Sequence, residues 1–206
     1  MNFADYPITL PFETLAGAWS LVPFREPAET QMAGGNVRLR FRQGDRLKTL
    51  TWACRLTPAQ FEAFEAFVSD MLVRGTARFW MPVWLGASYQ IRLVQLRGGG
   101  GGLSYRANQR GLKVEVSATL LVFPPEMTPA LPSITAVDPS IAGTGTVGAT
   151  VQLDIGGVSR SAVATSGAWS VEIPALDDGR HLVRARYVGG PWCAPVDLVT
   201  PAPAGG

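Results

Sequence analysis

The side chains able to do covalent or metal chemistry are few. The chain has one histidine, His181, and two cysteines, Cys54 and Cys193, far apart in sequence. A closed zinc site needs four nitrogen or sulfur ligands, and this set does not cluster in sequence to supply them. Ser-His-Asp catalysis would have to use His181, which lies in the strand-like run HLVRARY. Asp177 and Asp178 are neighbours in a turn, and Glu62 and Glu65 share a helix pattern, so neither pair makes the opposed carboxylates of a glycosidase. Asp154, Asp177 and Asp178 lack the spacing of a calcium loop. Gly98 to Gly102 are five consecutive glycines without the Gly-Lys-Ser/Thr ending of a phosphate loop. No catalytic residue, metal or cofactor is therefore expected. Cys54 falls on the apolar side of a strand pattern, and both thiols are expected to be reduced.

Binding surfaces are the remaining candidates. Arg38, Arg40 and Arg42 alternate with Val37, Leu39 and Phe41, which puts guanidinium groups on one strand face and apolar groups on the other. Such a face suits solvent or a neighbouring subunit. It does not suit a base-stacking platform, because Phe41 falls on the face opposite the arginines. With a net charge of +2, no specific nucleic-acid binding is expected. The glycine run Gly98, Gly99, Gly100, Gly101 and Gly102 reads as a mobile hairpin tip that orders against a neighbour, since glycine loses the most backbone entropy on ordering. Trp80, Trp84 and Trp192 are candidate exposed aromatics for a glycan surface.

The elements that would position these residues are mostly strands. The chain has 206 residues, 47% of them hydrophobic, with 23 glycines and 16 prolines, which fits turn-rich β structure in one large or two small domains. The segment PPEMTPALP marks a stiff connector. Charge changes sign across it, with 14 Lys/Arg against 9 Asp/Glu before residue 125 and 4 against 7 after it. The expected organisation is a β domain over 1–124, a proline-rich linker over 125–133, a second domain over 134–199 and a loose tail over 200–206. The strand around Val37 to Phe41 is expected to form a hairpin with the strand Thr49 to Leu56 through Gln43, Gly44 and Asp45. One helix over 57–74 follows, with Thr57 as cap, Pro58 in the first turn and Gln60 completing a capping box. Its apolar stripe is Phe61, Phe64, Val68, Met71 and Leu72, and Gly75 stops it. Further strands are expected at 77–83, 89–96 and 112–123. The start MNFADYPITL lacks a basic stretch followed by an apolar run, so synthesis in a cytoplasm is expected. No run of about 18 apolar residues predicts membrane insertion.

The order of these pieces resembles a known family. A hairpin, the helix LTPAQFEAFEAFV, the strands ARFWMPV and YQIRLVQL and the closing GLKVEVSATLLVF resemble, over about 28–123, the distal tail proteins and minor tail protein M of long-tailed phages. ETQMAGGNVRLRFR looks like the opening of related phage proteins. The resemblance implies a mainly β fold, a split barrel or sandwich with one covering helix. It also implies a ring of copies, often six, that meets tail tube and tail hub proteins in the virion. Tail tube and tail terminator proteins use similar folds and are an alternative. From about 134 to 190, AGTGTVGATVQLDIGG and TSGAWSVEIPALDDGRHLVRARY resemble bacterial immunoglobulin-like modules. That implies a C-terminal immunoglobulin-like β-sandwich with Trp169 in its core, an outward decoration that touches neighbours or host-surface glycans. A non-viral pair of carbohydrate-binding modules is the alternative from another class.

Overall fold

The computed structural model describes residues 3–23, 28–31, 37–40, 46–107, 113–138 and 140–200. Its strands in chain order are β1 (Ala4–Asp5), β2 (Ser20–Val22), β3 (Ala28–Gln31), β4 (Val37–Arg40), β5 (Lys48–Leu56), β6 (Arg78–Trp84), β7 (Tyr89–Leu96), β8 (Ser104–Ala107), β9 (Val114–Val122), β10 (Ser133–Ala136), β11 (Ser140–Thr144), β12 (Thr150–Ile155), β13 (Val158–Val163), β14 (Ala168–Glu172), β15 (Gly179–Tyr187) and β16 (Val196–Thr200), with helix α1 (Pro58–Ala66) between β5 and β6. The protein is mainly β with one α-helix among the described residues. It divides into two compact units, Met1–Phe79 with Arg92–Met127, and Trp80–Ile91 with the chain from Thr128 on.

The first sheet runs β1-β6-β7-β9-β5-β2, with β8 also on β9. Its axis is the antiparallel pair β5 and β9, in register from Lys48↔Val122 to Leu56↔Val114. Both strands alternate. Leu50, Trp52, Cys54 and Leu56 are buried on β5, and Val116, Ala118, Leu120 and Val122 on β9, as period-two patterning requires. Burying a side chain of this size stabilises the fold by about 1.5–3 kcal/mol. The expected hairpin between the Val37–Phe41 strand and β5 does not form. β5 gives its two edges to β9 and β2, and β4 instead pairs with β3.

The helix begins as its sequence specifies. Thr57 Oγ1 accepts from the Gln60 amide at 3.3 Å and Gln60 Oε1 accepts from the Thr57 amide at 3.0 Å, the reciprocal capping box. After Ala66 the helix widens into a π turn over Phe67–Met71. The extra residue in that turn rotates the stripe, so Phe64, Phe67, Val68 and Leu72 are buried while Met71, expected in the core, is 61% exposed. Below the helix, Tyr6 meets Trp52 and Phe67 edge to face, with ring centroids 6.3 and 5.9 Å apart, and Phe67 meets Phe79 at 5.6 Å.

The second unit holds a three-stranded sheet, β10-β11-β14, and a four-stranded one, β13-β12-β15-β16. Residues of both sheets share one core: Ile141 and Trp169 from the first, Val151, Leu153, Ile155, Val183, Ala185 and Leu198 from the second. Two antiparallel sheets closed over such a core make a β-sandwich. Trp169 keeps its polar edge satisfied by donating Nε1–H to the Thr144 carbonyl at 3.1 Å.

Burial pushes the Tyr6 phenol well above its ordinary range, and it pushes the Cys54 thiol from 9.0 up to about 12, with Glu13 adding to the rise. The folded state therefore holds these protons after an unfolded chain has released them, so stability is flat below about pH 9 and falls as pH rises toward about 12. Urea unfolding at a series of pH values from about 7 to 11 should show this decline. Cys54→Ala should make it shallower.

Candidate functional site

The chain leaves the π turn through an unusual backbone. Val73 (φ 48°), Arg74 (φ 57°) and Gly75 (φ 80°) are three consecutive left-handed residues. A β-branched residue in that region is a true outlier, and each non-glycine residue held there costs about 1–2 kcal/mol. Neighbouring hydrogen bonds hold the turn: Gly75 N–H to Val68 O at 3.1 Å, Ala77 N–H to Leu72 O at 2.9 Å and Thr76 Oγ1 to Val73 O at 2.9 Å. Met71 and Val73 stand out from it, 61% and 64% exposed.

The glycine run supports the same turn, and this corrects its reading as a hairpin tip. β7 and β8 pair with the same strand, β9, one after the other: Leu96↔Leu120, then Ser104↔Ser117. Residues 97–103 are extruded between them, with Gly99–Gly102 as a 3₁₀ turn. Gly100 donates its N–H to the Arg74 carbonyl at 2.9 Å. A Cβ on Gly100 would lie 2.9 Å from that same oxygen, and a Cβ on Gly75 would strike the Gly100 backbone. Two backbones meet here with no room for a side chain. Gly101, by contrast, has open space around it.

The helix leading into this turn is acidic, while the turn itself carries the exposed Arg74. Residues 57–73 carry Glu62, Glu65 and Asp70 and no lysine or arginine, and all three carboxylates are on exposed residues. Phe61 reaches Tyr105 of β8 edge to face at 5.0 Å. Burial raises the Tyr105 phenol, and the charge of Glu65 adds to it, so helix surface and β8 are continuous. All four residues of β8 are exposed, and among the described residues it pairs in the sheet with β9 alone.

Of the three candidate arginines, Arg38 and Arg40 lie on β4, and Arg42 is outside the described residues. β4 and β3 form a two-stranded ribbon, Ala28↔Arg40 to Gln31↔Val37, that joins neither of the two sheets of the second unit nor the first sheet.

The tryptophans do not make a common surface. Trp80 is buried, 7% exposed within β6, which corrects its expected exposure: β6 is apolar on nearly every residue. Trp84 is partly exposed and stacks edge to face on Tyr89, 5.2 Å between centroids. Trp192 covers the outer face of β15, with the Arg184 and Arg186 guanidinium carbons 4.4 and 4.3 Å from its ring centroid. Arg184 donates Nε and Nη2 to Asp154 Oδ2 at 3.0 and 2.8 Å, and Arg186 donates Nε to Gln152 at 3.0 Å. The ladder Asp154↔Arg184 and Gln152↔Arg186 follows the β12–β15 register. Trp192 thus closes a cation–π clasp over paired side chains. Asp154 is committed to Arg184 and to the Gly157 amide, at 3.0 Å. His181 Nε2 donates to the Asp177 carbonyl at 2.7 Å.

What sequence reasoning missed here is the left-handed turn, the ribbon and the clasp. The Gly34-Gly35-Asn36 stretch was an available turn signal for the ribbon. Nothing in the residue pattern foretold left-handed Val73. Comparison with protein-family models, curated proteins and solved structures returned no match.

Gly75→Ala and Gly100→Val should each lower the thermal midpoint of the full chain in calorimetry, by an amount matching roughly 1–3 kcal/mol, whereas Gly101→Ala should leave it unchanged. Trp192→Ala should lose about 0.5–2 kcal/mol of cation–π attraction, read as easier urea unfolding of the second unit.

Proposed function

We propose that this chain is a non-enzymatic structural protein of a phage or phage-like tail. Its copies form a ring at the distal tail, and the sandwich serves as an immunoglobulin-like decoration exposed on the virion. The observation that carries this reading is the β3–β4 ribbon, whose strands pair only with each other among the described residues. A lone two-stranded ribbon is marginal in water and gains from a neighbour. The second edge of β8, unpaired among the described residues, supports the same reading, since an unpaired strand edge is a template for another chain. The residue pattern over 28–123, similar to distal tail proteins, supports the distal position, with a tail tube or tail terminator ring as the alternative. Trp80 in the core and Trp192 stacked against two arginines weaken the rival reading as a carbohydrate-binding pair.

Light scattering with negative-stain microscopy of the purified chain tests it. The expected result is an annulus of roughly six copies, the closed product of a head-to-tail contact. A monomer at every concentration that also fails to join isolated tail components overturns it.

A further inference from the structure

We propose that the Asp178–Gly179 step is a site of spontaneous covalent modification, at which Asp178 isomerises to isoaspartate, and that the product unfastens the end of β16 from the start of β15. The inference does not rest on the tail reading.

An aspartate cyclises when its carboxyl carbon reaches the amide nitrogen of the next residue, and glycine, without a Cβ, leaves that approach least hindered. Asp-Gly occurs once in the chain and Asn-Gly nowhere. Asp178 lies in an exposed bend between β14 and β15, outside helix and strand, and its carboxylate makes no hydrogen bond or ion pair among the described residues. Gly179 has φ 136°, and a Cβ placed there would meet no atom within 4 Å. L side chains rarely adopt that backbone, so the fold requires glycine behind Asp178 while leaving the space around the bond open. Every other aspartate precedes a bulkier residue. Asp154 is in addition held by Arg184 and the Gly157 amide, and Asp197 by two bonds from Arg180.

The chemistry needs only water. The Gly179 nitrogen attacks the carbon of the protonated Asp178 carboxyl, its hydrogen and the carboxyl hydroxyl leave as water, and a cyclic imide forms. Water then opens the ring at either carbonyl. One opening restores aspartate, and the other sends the main chain through the side-chain carbonyl and leaves the α-carboxyl free. Composition is unchanged, but the main chain is one methylene longer.

That methylene falls inside a clamp. Thr200 Oγ1 lies 2.7 Å from the Asp177 carbonyl oxygen and 3.2 Å from that of Gly179, so one hydroxyl of β16 holds the backbone on both sides of Asp178. His181 Nε2 donates to the same Asp177 oxygen at 2.7 Å, and Gly179↔Thr200 is the terminal rung of the β15–β16 ladder. Lengthening the chain between the two carbonyls separates them, and the hydroxyl keeps at most one. Among the described residues β16 pairs with β15 alone, so no other strand holds its end when that rung opens.

Ageing of the full chain is the test. The protein is held for weeks at neutral pH in heavy-oxygen water, digested with trypsin in ordinary water, and read by electron-transfer fragmentation, which separates isoaspartate from aspartate. The expected product is isoaspartate carrying one heavy oxygen at Asp178, in the peptide of residues 161–180, above the level at any other aspartate. Asp178→Glu, which keeps the charge but closes such a ring far more slowly, should lose the signal. Hydrogen exchange at Val199 and Thr200 should be faster in aged chain than in fresh, and alike in aged and fresh Asp178→Glu. Isoaspartate absent from Asp178, confined to a urea-unfolded control or concentrated at another residue overturns the inference, and so does unchanged exchange at the end of β16.

Discussion

The pairing of β9 with β5 is the constraint on which the first sheet depends. It is a continuous nine-residue ladder, and it fixes which face of each strand meets the helix. On its other edge β9 accepts β7 and then β8. Two strands on one template must be joined by a segment that leaves the sheet and returns in register. The glycine run does this, and the direction in which it leaves brings it against the end of the helix. Strand register, glycine composition and the shape of the helix exit are thus one linked solution.

The second unit solves a different problem with the same means. Its core is apolar, and among the described residues no polar side chain is counted as buried. Polar groups are kept to the outer face, where Asp154, Arg184, Gln152 and Arg186 pair across the register and Trp192 lies over them. The Asp154–Arg184 pair is only about one-seventh exposed, at 13% and 16%. It is therefore less screened than a surface ion pair, and its two hydrogen bonds to one carboxylate oxygen add direction to charge.

Much of this architecture was legible in the residues, because period-two alternation and capping are local signals. Thr57, Pro58 and Gln60 specified the helix start, and Leu50 to Leu56 and Val116 to Val122 specified the buried faces. Partner choice was not local. Val37 to Arg40 has the alternation of a strand that could pair with β5, yet β5 pairs with β9 and β2 while β4 pairs with β3. The glycine run misled for a related reason: flexibility in an isolated chain says nothing of a steric fit with Gly75, distant in sequence. Met71 was misplaced because helical periodicity assumes 3.6 residues per turn, and one π turn breaks that rhythm. Trp80 shows that aromatic content alone does not distinguish core from surface.

Left-handed Val73 also bears on how the protein could be improved. An asparagine or glycine there would relax the backbone and yield a hardier molecule. The same exchange would blunt the apolar projection that the valine supplies. A screen that rewards heat resistance alone would therefore favour the exchange whatever the exposed valine side chain does.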